Sequence, residues 1–161
     1  EYETGIDRPH SQFRQLNKNK RGNYLIPLIS TSEVREISPS GKLINSFKVE
    51  GTPFTTLEST DGNYWIACGD GHTLIEVNPN DGQIIRRYNE NDIKGVRLFF
   101  TAGLCKSADG NLYICNWQGH SHDANAANSP QLFEINQKGE VIWSLNDNQT
   151  SGMISAVSTI N

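Results

Sequence analysis

The chain has 161 residues, enough for one ordinary domain with a sizeable core, and its 14 glycines and 6 prolines beside 35% hydrophobic residues suit a turn-rich β protein. A formal charge of -4 supplies no global field for holding nucleic acid or an anionic membrane, and no run of about 18 apolar residues could span a bilayer. The three cysteines, Cys68, Cys105 and Cys115, include no Cys-x-x-Cys pair, which excludes a zinc knuckle or dithiol motif, and their odd number argues against a disulfide framework.

Residues 1–10 contain no complete repeat, and Glu1, Tyr2 and Glu3 align with the later Phe47, Lys48 and Val49 as the tail of a unit. The first full unit, about residues 11–47, reads as a strand around Phe13 and Leu16, a turn at 17–22, strands at 24–29 and 33–37, a turn at 38–41 and a strand at 42–47. The second, about 52–88, repeats this with strands at 54–57, 64–68, 74–77 and 84–88. The third, about 101–145, places them at 102–105, 112–116, 132–135 and 141–145. Residues 151–161, with an apolar run at 153–157, read as the first strand of a further unit.

The register between units is set by Asp109, Gly110, Asn111, Ile114, Gly119 and His120, which return 48 positions earlier as Asp61, Gly62, Asn63, Ile66, Gly71 and His72. Another 40 positions back the frame recurs as Gly22, Asn23, Tyr24 and Ile26. Short apolar runs between Gly turns, with no helical periodicity, are the sign of propeller blades. Runs such as Tyr64, Trp65, Ile66, Ala67 and Cys68 are apolar at consecutive positions, which a strand tolerates when both faces are buried. The expectation is a single all-β domain over 1–161: a β-propeller of about three complete four-stranded blades with partial units at each end. Since a blade cannot bury its own faces, the chain is read as part of a larger ring, its partners being the remaining blades or another copy. Cys68 and Cys115 fall on strand runs and are expected as buried thiols, and Trp65 and Trp143 as core; Lys18, Asn19, Lys20 and Arg21 are expected to be a solvated turn.

The Asp-Gly-Asn turn before each second strand, with Gly139, Glu140, Val141, Ile142 and Trp143 closing the third unit, resembles the quinoprotein-like and NHL-like propellers of bacteria. The stretch from Arg8 to Leu28 and the segment Asn116, Trp117, Gln118, Gly119, His120 look most like secreted members, which implies an exported protein. The resemblance implies the fold, and a range of uses from pure binding to lyase, lactonase or sulfotransferase chemistry. Only the Gly-x-x-x-Trp end of the quinoprotein repeat is present, so no quinone or other cofactor is expected.

In a blade the connections from second to third strand and from blade to blade open on one face, and there residues 88–100 and 117–130 are longer than the fold needs, as functional loops are. All four histidines fall on that face: His10, His72, His120 and His122. Candidate ligand-binding residues are His10, His72, Arg97, Asn116, Trp117, Gln118 and His120, with Arg8, Asp70 and Asp123 in the same loops. Trp117 could stack on a sugar while Asn116, Gln118 and His120 bond its rim. Equally, a Gly-His pair can be a tight turn with a bonded imidazole, and Trp117 can pack between blades. His120, His122 and Asp123 have metal-ligand chemistry, but a metal needs three or four converging donors and none is expected. The leading reading is a propeller binding a small polar ligand, such as a carbohydrate, or a protein. The alternative is an enzyme using His10, His72 or His120 as acid, base or nucleophile.

Overall fold

A computed structural model describes residues 2–7, 13–123, 126–147, 149 and 151–159. Twelve strands form three four-stranded antiparallel sheets in simple meander order. The first holds β1 (Asn17–Lys18), β2 (Tyr24–Leu28), β3 (Glu33–Ile37) and β4 (Leu43–Lys48). The second holds β5 (Thr55–Glu58), β6 (Tyr64–Ala67), β7 (Leu74–Val77) and β8 (Ile84–Tyr88). The third holds β9 (Phe100–Lys106), β10 (Leu112–Trp117), β11 (Leu132–Ile135) and β12 (Val141–Leu145). Neighbouring sheets approach through their first strands, β1 with β5 and β5 with β9, the radial arrangement of propeller blades.

The core lies between blades. Leu25, Val34 and Phe47 of the first blade meet Tyr64, Ile66, Ile75 and Val77 of the second, and Trp65, Ala67 and Leu74 meet Leu104, Leu112, Ile114 and Phe133 of the third. This explains the unbroken apolar runs: β6 and β7 are buried at every position, because each side of the strand faces a neighbouring sheet. At roughly 1.5–3 kcal/mol per fully buried large side chain, these two layers dominate stability.

A polar element recurs inside each blade. The Asn of the Gly-Asn turn donates to a Glu on the third strand: Asn23 to Glu36 at 2.6 Å, Asn63 to Glu76 at 3.3 Å and Asn111 to Glu134 at 2.9 Å. The three carboxylates are only 3%, 5% and 9% exposed, and the pairing of third with fourth strand shifts register immediately after each. Glu36 is held most heavily, by Asn19, Asn23, Arg21 and the Tyr64 hydroxyl of the next blade. The turn expected to be merely solvated therefore anchors a buried carboxylate, and Asn19 itself is buried.

Other expectations change. Phe13 and Leu16 precede β1 instead of forming it; Phe13, with Tyr2 and Ile6, packs on Ile26, Leu28 and Ile37 of the first blade. Residues 153–157 form no strand, yet Ile154 and Val157 lie against Ala102, Cys115 and Leu132. Trp143 is 45% exposed, with its ring near perpendicular to that of Tyr113, centroids 6.2 Å apart. Cys68, Cys105 and Cys115 are free thiols.

Candidate functional site

The site is built where the second blade's turn 68–73 meets the third blade's loop 117–130. The turn is tight and almost entirely backbone-bonded: Gly71 N donates to Cys68 O at 2.7 Å, His72 N to Gly69 O at 3.0 Å and Cys68 N to Thr73 O at 3.0 Å. It is pinned to β9 by Gly69 N to Thr101 O at 3.1 Å and by the Thr101 hydroxyl to Thr73 O at 2.7 Å. His72 adopts a left-handed φ of 51°, uncommon for a side-chain-bearing residue but one that His tolerates, and its Nδ1 bonds Phe99 O.

The longer loop closes short backbone turns, Ser121 N on Gln118 O and Ser129 N on Ala126 O, and side chains take up further backbone groups. Asn116 is fully buried: its Oδ1 accepts from Phe99 N at 2.7 Å, and its Nδ2 donates to Arg97 O at 2.9 Å and Pro130 O at 3.0 Å. Gln118 Nε2 donates to Ser129 O at 2.8 Å, and the Ser129 hydroxyl donates to Arg97 O at 2.8 Å. Asn116 and Gln118 thus belong to the scaffold of the two long loops and do not reach the rim surface, because their amides are occupied by backbone groups.

Four rings line up beyond this scaffold. Phe54 meets Phe100 edge to face at 4.8 Å, Phe100 meets Trp117 at 5.3 Å, and His120 meets Trp117 at 4.6 Å and Phe100 at 5.3 Å, all near perpendicular. Two glycines make room for them: a Cβ on Gly69 would lie 2.9 Å from the Phe100 ring, and one on Gly119 would collide with the Trp117 indole. His120 Nδ1 lies 3.0 Å from Asp70 Oδ1, joining the third blade's loop to the second blade's turn, with side chains 62% and 65% exposed. Because a carboxylate only accepts, Nδ1 carries the proton and Nε2 of the neutral ring is the acceptor.

Asp70, Phe100, Trp117 and His120 form a wall common to two cavities. One, of about 380 Å³, is lined by Ile29, Phe54, Ala102 and Ser155, with Arg14 and Thr52. The other, of about 150 Å³, adds His72, Glu90, Arg97 and Ser121. Arg97 is neutralised there: Nε is 2.7 Å from Glu90 and Nη1 pairs with Asp123, hydrogen bonds that raise its pKa, while the guanidinium lies over the Phe99 ring.

Of the sequence candidates, His72, Arg97, Trp117 and His120 therefore meet on one cleft, and Asp70 joins them; His10 and Arg8 lie outside the described residues. The metal candidates are dispersed: His120 pairs with Asp70 and Asp123 with Arg97, and His122 is exposed. Among the described residues no three His, Cys, Asp or Glu side chains gather to hold a metal ion, and no helix is long and apolar enough to cross a membrane.

The family model for Mal s 1 allergenic protein-like proteins matches residues 1–140. A protein of unknown function from Bacteroides caccae is 54% identical, with a TM-score of 0.83 over 98% of this chain and 57% of its own. Virginiamycin B lyase from Staphylococcus aureus is 12% identical, with a TM-score of 0.66 over 95% of this chain and 47% of its own. Glutaminyl cyclase from Myxococcus xanthus is 14% identical, with a TM-score of 0.56 over 89% and 50%. The chain thus spans about half the length of the structures it resembles, and at such low identities the last two share its fold alone. No curated protein matches the sequence.

Proposed function

This chain belongs to the Mal s 1 allergenic protein-like family, and on that footing we propose that it is a ligand-binding propeller taking a small polar ligand, of carbohydrate type, on the rim of the long loops. The observation that carries this reading is the Asp70–His120 pair beside Trp117: two exposed hydrogen-bonding groups, contributed by neighbouring blades, flank an aromatic wall that opens on two cavities. Concave sites of this kind combine apolar walls with a few fixed polar groups. The scaffold of Asn116, Gln118 and Ser129 holds the loop in place beforehand, which limits the ordering cost of binding. A calorimetric titration with methyl glycosides of common hexoses tests it: binding that weakens at least about tenfold in Trp117→Ala and His120→Ala supports the reading, and absence of binding across the panel removes it.

A second reading rests on the same pair. A carboxylate that fixes the imidazole tautomer leaves Nε2 able to accept a proton, so His120 would serve as general base in an enzyme. Its signature is loss of turnover with retained affinity in His120→Gln. The further proposals are export from the cytoplasm, checked by fractionation, and packing of additional blades or a second copy on the face bearing Trp143.

A further inference from the structure

We infer that the ligand of this rim is amphipathic, a hydroxyl-rich head joined to an apolar ring as in an aryl glycoside, with the ring seated in the larger cavity beside Phe54. The inference rests on the rim-binding reading above and adds the second half of the ligand.

The two cavities share their wall but differ in chemistry. The smaller one presents Glu90, Arg97 and Ser121, groups that donate and accept hydrogen bonds, beside the Phe99 ring and a His72 already bonded to Phe99 O, and its charges are internally paired through Arg97 and Glu90. That environment suits a neutral polyhydroxyl head better than an ion, since an added charge would compete with existing pairs. The larger cavity presents Ile29, Phe54, Ala102 and the rings of Phe100 and Trp117, with Arg14 and Thr52 also on its lining. At about 380 Å³ it exceeds by roughly tenfold the share of one water molecule in the liquid, so it can take a ring-sized group. Water against such a wall is released favourably when an apolar group replaces it. The backbone is shaped for these rings: Gly69 and Gly119 stand where any Cβ would press into Phe100 and Trp117. Both rings, with Asp70 and His120, line the two cavities, so the cavities adjoin there, and the proposed ligand crosses that shared edge.

The test is calorimetric titration of the whole chain with phenyl β-glucoside and methyl β-glucoside. Phenyl β-glucoside is expected to bind about tenfold tighter or better, the scale of burying most of one ring. Ser155→Trp, which narrows only the larger cavity, is expected to abolish that advantage and leave methyl β-glucoside affinity unchanged. Ser121→Trp, on the smaller cavity, is expected to weaken both probes. Thr52→Trp enters the larger cavity from another side and replaces Ser155→Trp if that variant does not fold. Equal affinity of the two probes for the wild type, or an advantage that survives Ser155→Trp, overturns the inference while leaving rim binding intact. Failure of both probes to bind the wild type overturns rim binding and the inference with it.

Discussion

The second and third blades carry the same Gly-His pair at the end of their second strands, but one sits in a turn that closes within six residues and the other in a loop of more than a dozen. In register, Cys68, Gly69, Asp70, Gly71 and His72 of the turn correspond to Asn116, Trp117, Gln118, Gly119 and His120 of the loop. The short turn bonds itself through backbone groups, and its histidine closes onto Phe99 O. The long loop closes turns on itself too, Ser121 N on Gln118 O and Ser129 N on Ala126 O, but adds side chains to the task. It replaces Cys68 with Asn116 and Asp70 with Gln118, whose amides take up the backbone groups that a ladder would otherwise satisfy. Its histidine is then left to reach the neighbouring blade at Asp70. The difference teaches that loop length, not residue identity, decides which histidine is structural and which is offered to a ligand.

The largest expected effect bears on two buried thiols and one buried phenol. Burial pushes the Cys68 thiol from 9.0 to about 11, Cys115 from 9.0 to about 12, and the Tyr64 hydroxyl from 10.0 to about 12. All three are neutral in the fold and ionise more readily when unfolded, so their contribution is complete below pH 9 and is lost as pH rises towards 12. Denaturant unfolding followed from pH 8 to 12 should lose several kcal/mol, since a tenfold difference in acidity between the folded and unfolded chain corresponds to about 1.4 kcal/mol. Cys115→Ala should remove the part belonging to the third blade. At the acid end, burial alone would raise the Glu36 pKa, but hydrogen bonds from Asn23, Asn19, Tyr64 and Arg21 hold it below the ordinary 4.5. That contribution is present above pH 4.5 and is lost as pH falls through the depressed value.

Next in size is Asn116→Ala, which strands the Phe99 N–H and the Pro130 carbonyl in the interior, Arg97 O keeping the Ser129 hydroxyl, and should cost roughly 2–3 kcal/mol, measured by urea unfolding. Gln118→Ala, with one such bond, should cost about 1 kcal/mol. Equal and negligible losses would mean that the long loop is not held by its amides. The smallest effect is His120→Ala: a hydrogen-bonded pair this exposed contributes about 0–1 kcal/mol, so its thermal midpoint should match that of the parent.

The blades are legible in the sequence because strands buried on both faces leave unbroken apolar runs and Gly turns punctuate them. The buried Glu36, Glu76 and Glu134 are not, although a Glu followed by Ile or Val closes the third strand of every unit. An acidic residue in a strand reads as solvent-facing until its Asn partner is seen beside it. The histidines are visible as a group on one face, but Asp70 and His120 are 50 residues apart and only the packing of neighbouring blades makes them partners. Asn116 and Gln118 resemble ligand groups because a polar residue near a loop carries no mark of whether it faces inward. Trp143 likewise resembles core in the sequence and stands 45% exposed in the fold.

The most direct test compares His72→Ala and His120→Ala in calorimetric titrations with methyl β-glucoside, each variant's stability being measured alongside. The account predicts that His120→Ala binds at least about tenfold more weakly with its unfolding free energy unchanged within about 0.5 kcal/mol, as for an exposed pair. His72→Ala should instead lose stability and, while folded, bind within about threefold of the parent, because that ring is spent on Phe99 O. Loss of binding in His72→Ala with full affinity in His120→Ala would contradict the assignment of the rim.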